Sequence, residues 1–369
     1  MTSILVIADD LTGAAEIGGI ALRYNLTVDI VHKLDSTLQS DVQILNTNTR
    51  SLTYEEIIPH LQNVTNGIKK DAYQFIYLKF DSALRGNIKI QVDFLKEQLN
   101  YKLAVFCPAN PVFGRIIKNG EYYINDRLIN ETSFSEDPEF PIQKSHVLDI
   151  LNAPEWELVK NVQQSQLETG CAVVEVSTHK ELDQLAENVQ FSNLMIGGSA
   201  FFNALLHQQY TQFKKGFREH IELNHPVLFV CGSAYKNSSE QIKKVKPDYL
   251  VYFDNNDSIE KLRDELLNKI RERSKVIFAV SPQTKGSAAE IRKKMAGIVG
   301  QVYHNTEVCE LVIEGGATSY EILNELNIKT VTPVQEIGLG LIKTMVTDKK
   351  LFITLKPGSY PWTKELWKF

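Results

Sequence analysis

The stretch that decides the fold is Ser3–Glu16, SILVIADDLTGAAE. The apolar run Ile4–Ala8 ends in two adjacent aspartates, Asp9 and Asp10, and Leu11-Thr12-Gly13 then turns the chain towards a small-residue helical segment. A short, continuous β-branched run bounded by turn residues predicts a parallel strand that is buried on both faces. Open α/β sheets bind ligands at the carboxyl ends of such strands, although the same aspartates could simply cap the next helix. Because two adjacent carboxylates repel each other, we expect a cationic partner nearby.

The bulk composition is that of an ordinary globular protein. The chain has 369 residues, of which 43% are hydrophobic and 23% are charged, and its formal net charge is -5. This length favours about two domains, each large enough to bury a core without metal or disulfide support. The net charge gives no reason to expect nucleic acid or an anionic membrane as a partner.

The cysteines and histidines argue against a metal held by the protein. The four cysteines lie far apart with no CxxC pair, and the eight histidines show no HxH or HExxH spacing. Free, mostly buried thiols in a reducing compartment are therefore expected. No basic segment precedes the first apolar run, and no apolar run approaches the length of a membrane span. We expect a cytoplasmic protein.

Apolar strands alternate with amphipathic helices along the whole chain. This rhythm predicts two tandem three-layer α/β domains with largely parallel sheets. The composition turns polar and basic between Phe213 and Pro226, and we place the boundary there. The expected domains are residues 1–222 and 223–369.

A second strand delivers a carboxylate in the stretch KFDSALRGN, Lys79–Asn87. The strand is predicted to end at Lys79, Asp81 follows it, and Arg85-Gly86 come just before a helix. Arginine can grip a carboxylate or phosphate through two parallel hydrogen bonds, and glycine lets the backbone approach a ligand closely. The alternative is an Asp81–Arg85 ion pair that only closes the loop.

A third strand runs into CPANPVFGR, Cys107–Arg115, in which a proline-rich turn brings Arg115 near the strand ends. Strands from three places in this half thus end near carboxylates or arginines. This repetition is harder to explain as ordinary loop structure than any one of the three stretches.

The second half carries three glycine turns, each directly after an apolar strand. They are Gly232-Ser233, Gly315–Thr318 and Lys356-Pro357-Gly358. Free backbone N–H groups at the start of a helix can hold phosphate, and Thr318 adds a hydroxyl. No P-loop and no GxGxxG motif is present. Three such turns at one sheet edge indicate a nucleotide site.

Several motifs, in this order, resemble those of the four-carbon acid sugar kinase family. They are ADDLTGA, DSALRGN, CPANPVFGR with NGEYY, ETSF and DP, GGATS, and KPGSY, and they run from Ile4 to about Tyr360. The resemblance implies an ATP-dependent kinase with an N-terminal sugar-acid-binding domain, a C-terminal nucleotide-binding domain and an active-site cleft between them. Members phosphorylate the terminal hydroxyl of erythronate, threonate or 3-oxo-tetronate.

The resemblance and the motif chemistry together give the expected site residues. The expected catalytic residues are Asp9, Asp10 and Asp81, with the base left open between Asp10 and Asp81, and with Asp9 expected to orient the substrate or to hold a magnesium-bound water. The expected substrate-binding residues are Ser82, Arg85, Gly86, Asn87 and Arg115. The expected nucleotide-binding residues are Ser233, Gly315, Gly316, Ala317, Thr318 and Gly358. The expected cofactors are ATP and Mg²⁺, the expected partners are a small-molecule sugar acid and ATP, and a homodimer is the candidate assembly.

The chain departs from the family pattern beside the expected sugar-acid pocket. Glu16 stands where aspartate is usual, Lys89 where glycine is usual and Gln91 where glutamate is usual, and the residues after Gly358 lack the usual Phe-Gly. A protein that binds sugar acid and nucleotide without turnover is therefore an alternative. An aspartyl-phosphate hydrolase is a second alternative. Such an enzyme needs a second aspartate two positions after the nucleophile, but Leu11 stands there if Asp9 is the nucleophile and Thr12 if Asp10 is.

Overall fold

A computed structural model describes residues 3–35, 37–137, 139–160, 167–213, 221–232 and 236–369. The chain forms two compact units, Met1–Lys214 and Lys215–Phe369. The functional division at residue 222 remains a prediction.

The first unit is built on an all-parallel sheet, whose strands are β1 (Ile4–Ala8), β2 (Val28–Val31), β3 (Val42–Asn46), β4 (Phe75–Lys79), β5 (Leu103–Cys107), β9 (Glu157–Val159), β10 (Gly170–Val174) and β11 (Leu194–Gly197). The strand order is β2-β3-β1-β4-β11-β5-β10-β9. Every residue of β1 is buried, as its continuous apolar run predicts. Asp9 and Asp10, which follow β1, therefore lie at the carboxyl edge of the sheet and near its centre.

Helices cover both faces of this sheet. They are α1 (Leu11–Arg23), α2 (Tyr54–Thr65), α3 (Ile88–Gln98), α4 (Val147–Leu151), α5 (His179–Asn188) and α6 (Ser199–Gln209). Leu5 and Ile7 of β1 share one hydrophobic core with α2 and α3. On the opposite face, α1 and α5 both pack on α6, and Tyr77 meets Phe202 of α6 edge-on at 5.1 Å between ring centroids. The unit has the three predicted layers.

A small antiparallel sheet stands beside the main one. It consists of β6 (Arg115–Lys118), β7 (Glu121–Ile124) and β8 (Arg127–Leu128). Asn125 and Asp126 join β7 to β8 with φ of 49° and 62°, the two left-handed conformations that a tight two-residue hairpin turn requires. Arg115 is the first residue of β6, and the pairing of β6 with β7 holds it in place. The stretches Gly120–Asn125 and Arg127–Leu128, joined by a polar turn, predict the β7–β8 hairpin from the sequence, whereas β6 was not predicted.

The second unit has a mixed sheet with the order β13-β14-β12-β15-β18-β17-β16. Its strands are β12 (Val227–Cys231), β13 (Leu250–Phe253), β14 (Lys275–Val280), β15 (Glu310–Glu314), β16 (Thr330–Gly338), β17 (Leu341–Val346) and β18 (Leu351–Lys356). Strands β12 to β15 and β18 are parallel, whereas β17 is antiparallel to both of its neighbours. Thus β12, β15 and β18 adjoin and end at the same edge.

The second unit is also covered on both faces. Its helices are α7 (Lys236–Ile242), α8 (Ile259–Arg273), α9 (Ala288–Asn305) and α10 (Gly316–Glu325). Helices α8, α9 and α10 pack side by side. On the other face, Phe229 of β12 contacts Trp362, Trp367 and Phe369 of the C-terminal segment. Large aromatic side chains thus complete a face that has little helix.

Two helices begin earlier than the sequence predicts. Leu11-Thr12-Gly13 is the first turn of α1, not a separate turn, because the Asp10 side chain caps it. Gly316–Thr318 likewise forms the first turn of α10, with Gly315 before it at φ 99°. Both expected ligand loops therefore present the free N–H groups of a helix start.

Candidate functional site

Arg50 is the cationic partner of the two aspartates that follow β1. Its Nε donates to Asp9 Oδ2 at 2.8 Å, and its NH2 group donates to Asp9 Oδ1 at 2.6 Å and to Asp10 Oδ1 at 3.0 Å. The backbone N–H of Arg50 also donates to the Asp9 carbonyl at 3.1 Å. Arg50 was not predicted from the sequence as a site residue. The polar run Asn46–Arg50, which begins at the end of β3, could have indicated it. Strand β3 pairs with β1 and the two strands end together, so this run lies beside Asp9 and Asp10.

Asp9 and Asp10 have different surroundings. The Asp9 side chain is 0% exposed and that of Asp10 is 9% exposed. Asp10 also accepts from Gly13 N at 2.9 Å and from Thr12 Oγ1 at 2.6 Å. Burial alone would raise the pKa of Asp10, but Arg50, Lys79 and these hydrogen bonds together hold it below its ordinary value. Asp10 is thus both the helix cap and an ionised carboxylate with an exposed edge.

Lys79 is a second buried cation that the sequence analysis did not assign to the site. Its Nζ lies 3.5 Å from Glu16 Oε2 and donates to the Phe80 carbonyl at 3.1 Å. A Cβ added to Gly13 would lie 3.1 Å from Lys79 Nζ and 2.6 Å from Asp10 Oδ1. Glycine at position 13 therefore allows Lys79 and Asp10 to approach the first turn of α1. Glu16, one of the departures from the family pattern, helps to balance the charge of Lys79.

Arg85 is already matched by two carboxylates. Its Nε donates to Asp81 Oδ2 at 2.5 Å, and its NH1 group donates to Asp137 Oδ2 at 3.1 Å. Burial raises the pKa of Asp81, but Arg85, Arg50 and Arg115 outweigh it and hold that pKa well below its usual range. The Asp81–Arg85 ion pair considered as the alternative is therefore present. It does not leave Arg85 free to balance a further anion.

Arg115 has a different environment. It is 8% exposed, its NH1 group donates to Ser82 Oγ, and its guanidinium lies over the rings of Phe113 and Phe134, 5.7 and 5.5 Å from their centroids. Among the described residues, no carboxylate lies within ion-pair distance of Arg115. Tyr122 Oη donates to the Ser82 carbonyl and so fixes the loop that Arg115 contacts. A buried arginine is rare without an anionic partner, so this position favours an anionic ligand.

The loop after β4 is tied to the loop after β3. Gly86 has φ 94°, and a Cβ there would lie 3.3 Å from Arg50 Cγ. The side chain of Gln91 joins the same two loops, because its Oε1 accepts from Thr49 Oγ1 at 2.6 Å and its Nε2 donates to the Asn87 carbonyl at 3.0 Å. The loops that carry Arg50 and Asp81 are thereby held together.

The departures at positions 89 and 91 have structural partners. Lys89 forms surface ion pairs with Asp93 at 2.6 Å and Glu155 at 2.7 Å. Gln91 is 2% exposed. We infer that Gln91 acts on the site by holding the two loops rather than by touching a ligand.

In the second unit, the expected nucleotide-binding residues lie at the ends of β15 and β18. Gly315 N donates to the Lys356 carbonyl at 2.8 Å, which joins the start of one glycine turn to the start of the other. A Cβ on Gly232 would collide with Thr318 Oγ1, so the turn after β12 packs against the start of α10. Gly315, Gly316, Ala317, Thr318 and Gly358 are therefore brought to one edge. Ser233 lies outside the described residues.

Neither a preformed metal site nor a membrane span is found where the structure is described. In those ranges no group of three or more histidine, cysteine, aspartate or glutamate side chains is placed to hold a metal ion. None of the helices there is both long and apolar enough to cross a bilayer.

Comparison with known proteins assigns the family. The family model described as a sugar-binding N-terminal domain matches residues 4–238. Over 96% of both chains, the sequence is 25% identical to a 3-oxo-tetronate kinase of Haemophilus influenzae. The chain belongs to the four-carbon acid sugar kinase family. It is also 30% identical over 154 residues to a D-threonate kinase of Bordetella bronchiseptica, covering 40% of this chain and 38% of that one.

A solved structure agrees with this family assignment at the level of the fold. A crystal structure of a Haemophilus influenzae protein matches with a TM-score of 0.70 and 21% identity, covering 98% of each chain. The predicted fold class, mixed α/β with largely parallel sheets, is confirmed.

Proposed function

We propose that this chain is an ATP-dependent kinase that phosphorylates the terminal hydroxyl of a four-carbon sugar acid, a tetronate or 3-oxo-tetronate. The names of its relatives support the reaction class. The single observation that carries the substrate class is Arg115, a buried cation without a carboxylate partner among the described residues, beside Ser82 and close enough to Asp81 to lower its pKa. We divide the work between a sugar-acid domain, residues 1–222, and a nucleotide domain, residues 223–369.

In this proposal Arg115 binds the carboxylate of the sugar acid. Arg85 was an equal candidate from the sequence, but Asp81 and Asp137 already balance its charge. A guanidinium held against two aromatic rings is fixed in orientation and can offer two parallel N–H groups to a carboxylate. Ser82, Gly86 and Asn87 would then line the same pocket.

Asp10 is our candidate for the group that orients and deprotonates the attacking hydroxyl. A carboxylate has about four acceptor sites, and three of those on Asp10 are used by Thr12, Gly13 and Arg50. Its exposed edge leaves a position for a substrate hydroxyl. Asp81 is the second candidate because its side chain is 10% exposed. Asp9 is fully buried and clamped by Arg50, so we assign it to orienting Arg50.

The nucleotide would lie on the glycine turns of the second unit. Gly315, Gly316, Ala317 and Thr318 offer N–H groups and a hydroxyl for phosphate, with Gly358 and Ser233 on the neighbouring turns. Transfer requires the terminal phosphoryl group of ATP to reach the sugar-acid hydroxyl, and exclusion of water from both substrates would prevent hydrolysis of ATP.

Mg²⁺ fits this arrangement as a companion of ATP. It prefers to keep waters and phosphate oxygens and to take one or two carboxylates rather than a full protein cage. When bound, it would neutralise charge that develops on the transferred phosphoryl group. Asp10 and Asp81, whose side chains are 9% and 10% exposed, are our candidates for a carboxylate ligand.

The test is an assay of the purified protein with ATP and Mg²⁺ against tetronates of each stereochemistry and their 3-oxo forms. ADP release with at least one of them, and a product phosphorylated at the terminal carbon by ³¹P NMR, supports the proposal. If no substrate yields ADP above background, the catalytic claim fails.

Binding without turnover is the second candidate, favoured by Gln91, which ties the two loops through an amide where the family pattern has a carboxylate. Isothermal titration that shows tetronate and ATP binding, together with no product, would select it. An aspartyl-phosphate hydrolase is disfavoured, because Asp9 is fully buried and both of its oxygens accept from Arg50. Aryl phosphatase activity that is lost in Asp9→Asn would revive that alternative.

A further inference from the structure

Two buried lysine–glutamate pairs lie at opposite ends of strand β15. At its start, Lys343 Nζ lies 2.8 Å from Glu310 Oε2, and at its end, Lys356 Nζ lies 2.7 Å from Glu314 Oε1. All four side chains are at most 7% exposed. A buried ion pair adds little stability over apolar side chains of the same volume, so its presence calls for another explanation.

The pair at the end of β15 lies directly beneath the glycine turns. Glu314 immediately precedes Gly315, and Lys356 immediately precedes Pro357-Gly358. Lys356 Nζ also donates to the Pro357 carbonyl at 3.0 Å. The ion pair between Glu314 and Lys356 therefore holds the chain at the point where each of these two glycine turns begins.

A hydroxyl from α7 joins this pair. Ser238, which is 3% exposed, donates from Oγ to Glu314 Oε1, the oxygen that also accepts from Lys356. These contacts link β15, β18 and α7 at the edge of the sheet where the turns after β15 and β18 begin. We call Glu314, Lys356 and Ser238 the turn-anchoring triad.

We propose that the turn-anchoring triad positions the glycine turns to receive the nucleotide phosphates. The proposal rests on the proposed function, which places ATP on these turns. Glycine has no side chain to fix its own backbone, so the direction of the N–H groups at Gly315 and Gly316 depends on what holds the residues before them. Glu314 and Lys356 are 0% exposed and Ser238 is 3% exposed, so in this proposal the three are positioning residues and not ligands.

The pair at the start of β15 supplies a matched control. Thr354 Oγ1 donates to Glu310 Oε1 at 2.6 Å, just as Ser238 donates to Glu314. Ser238→Ala and Thr354→Val each remove one buried hydroxyl from one glutamate. The double variants Glu314→Gln/Lys356→Met and Glu310→Gln/Lys343→Met each remove one whole pair.

The experiment measures the Kd for ATP with Mg²⁺ by isothermal titration, the KM for ATP and the KM for the tetronate that wild type uses. We expect Ser238→Ala to raise the ATP Kd and KM by about fivefold, and the Glu314→Gln/Lys356→Met variant to raise them by about tenfold or more. The two control variants should stay within about twofold of wild type, as should the tetronate KM of every variant.

The outcomes separate this inference from the proposed function. Wild-type protein that neither binds ATP nor phosphorylates a tetronate overturns both. Active wild type with unchanged ATP affinity in folded triad variants overturns the positioning role alone, and so does an equal loss in the control variants. If the double variant at Glu314 and Lys356 does not fold, Ser238→Ala against Thr354→Val decides the question.

Discussion

Arg50 clamps Asp9 with two hydrogen bonds, from Nε to Oδ2 at 2.8 Å and from NH2 to Oδ1 at 2.6 Å, and its NH2 group reaches on to Asp10. The two residues are 41 positions apart in the chain. The positive charge of Arg50 offsets the repulsion between the two carboxylates, which lie in different environments. Asp9 holds the arginine, whereas Asp10 keeps an exposed edge.

Removing Arg50 should destabilise the first unit. Arg50→Met leaves the buried Asp9 without its cation, and breaking a buried pair in this way costs about 3–5 kcal/mol. Urea unfolding measures the loss. The variant Asp9→Asn/Arg50→Met removes both charges and should recover more than half of it. A loss below about 1 kcal/mol in Arg50→Met would contradict the clamp, since that is the range of exposed ion pairs.

Asp10→Asn should separate catalysis from helix capping. Asparagine caps helices about as well as aspartate, so the unfolding midpoint should change little. The loss of the carboxylate should lower kcat by about 10²- to 10⁴-fold, the usual contribution of a positioned base, while ATP still binds. Steady-state kinetics, ATP titration and thermal unfolding together measure this. Unchanged kcat would rule out Asp10 as an essential base and direct attention to Asp81.

Arg115→Lys should act on sugar-acid binding alone. Lysine keeps the charge but loses the planar fork, so the KM for the tetronate should rise by about tenfold or more, with the KM for ATP unchanged. Arg85→Lys is the matched variant, because Arg85 already pairs with Asp81 and Asp137. It should affect the unfolding midpoint more than the tetronate KM. The reverse pattern would assign the substrate carboxylate to Arg85.

Stability should fall in mild acid because of His32. Burial lowers the pKa of His32 from 6.5 to about 4, and its Nδ1 lies 3.4 Å from Asn46 Nδ2, a contact that suits the neutral ring. Since the unfolded chain binds the proton more readily, the contribution of His32 is complete above pH 6.5 and is lost as the pH falls towards 4.

The expected loss from His32 is on the order of 3 kcal/mol across that window. Urea unfolding at several pH values measures it, and His32→Gln should remove this part of the pH dependence. A wild-type stability that is flat between pH 6.5 and pH 4, or an unaltered slope in the variant, would contradict the account.

The sequence predicted the buried elements well because their pattern is local. Four short apolar runs, each closed by polar or turn residues, predict strands with the limits that β1, β3, β5 and β12 have: Ile4–Ala8, Val42–Asn46, Leu103–Cys107 and Val227–Cys231. The antiparallel strands β16 and β17 were not predicted. Pro333 interrupts the first, and its pairing with β17 contains two register shifts, so no regular alternation appears in the sequence.

The sequence predicted most residues of the candidate site, but not which carboxylate forms an ion pair with which arginine. The motifs contained Asp9, Asp10, Asp81 and both arginines, but no local spacing indicates that Asp137 would neutralise Arg85 from 52 positions away. Arg50 was missed for the same reason. Which arginine remains available to a ligand depends on contacts between loops that lie far apart in the chain, and only the folded structure supplies those.

The most direct test of the central claim compares a sugar acid with its reduced form. Purified protein is given ATP and Mg²⁺ with each tetronate, and separately with the four-carbon sugar alcohol of the same configuration, and ADP release is followed. We predict turnover with at least one tetronate, and a loss of at least about tenfold in kcat/KM with the alcohol, because Arg115 then has no carboxylate to bind. No ADP release with any tetronate, or equal rates with acid and alcohol, would contradict the account.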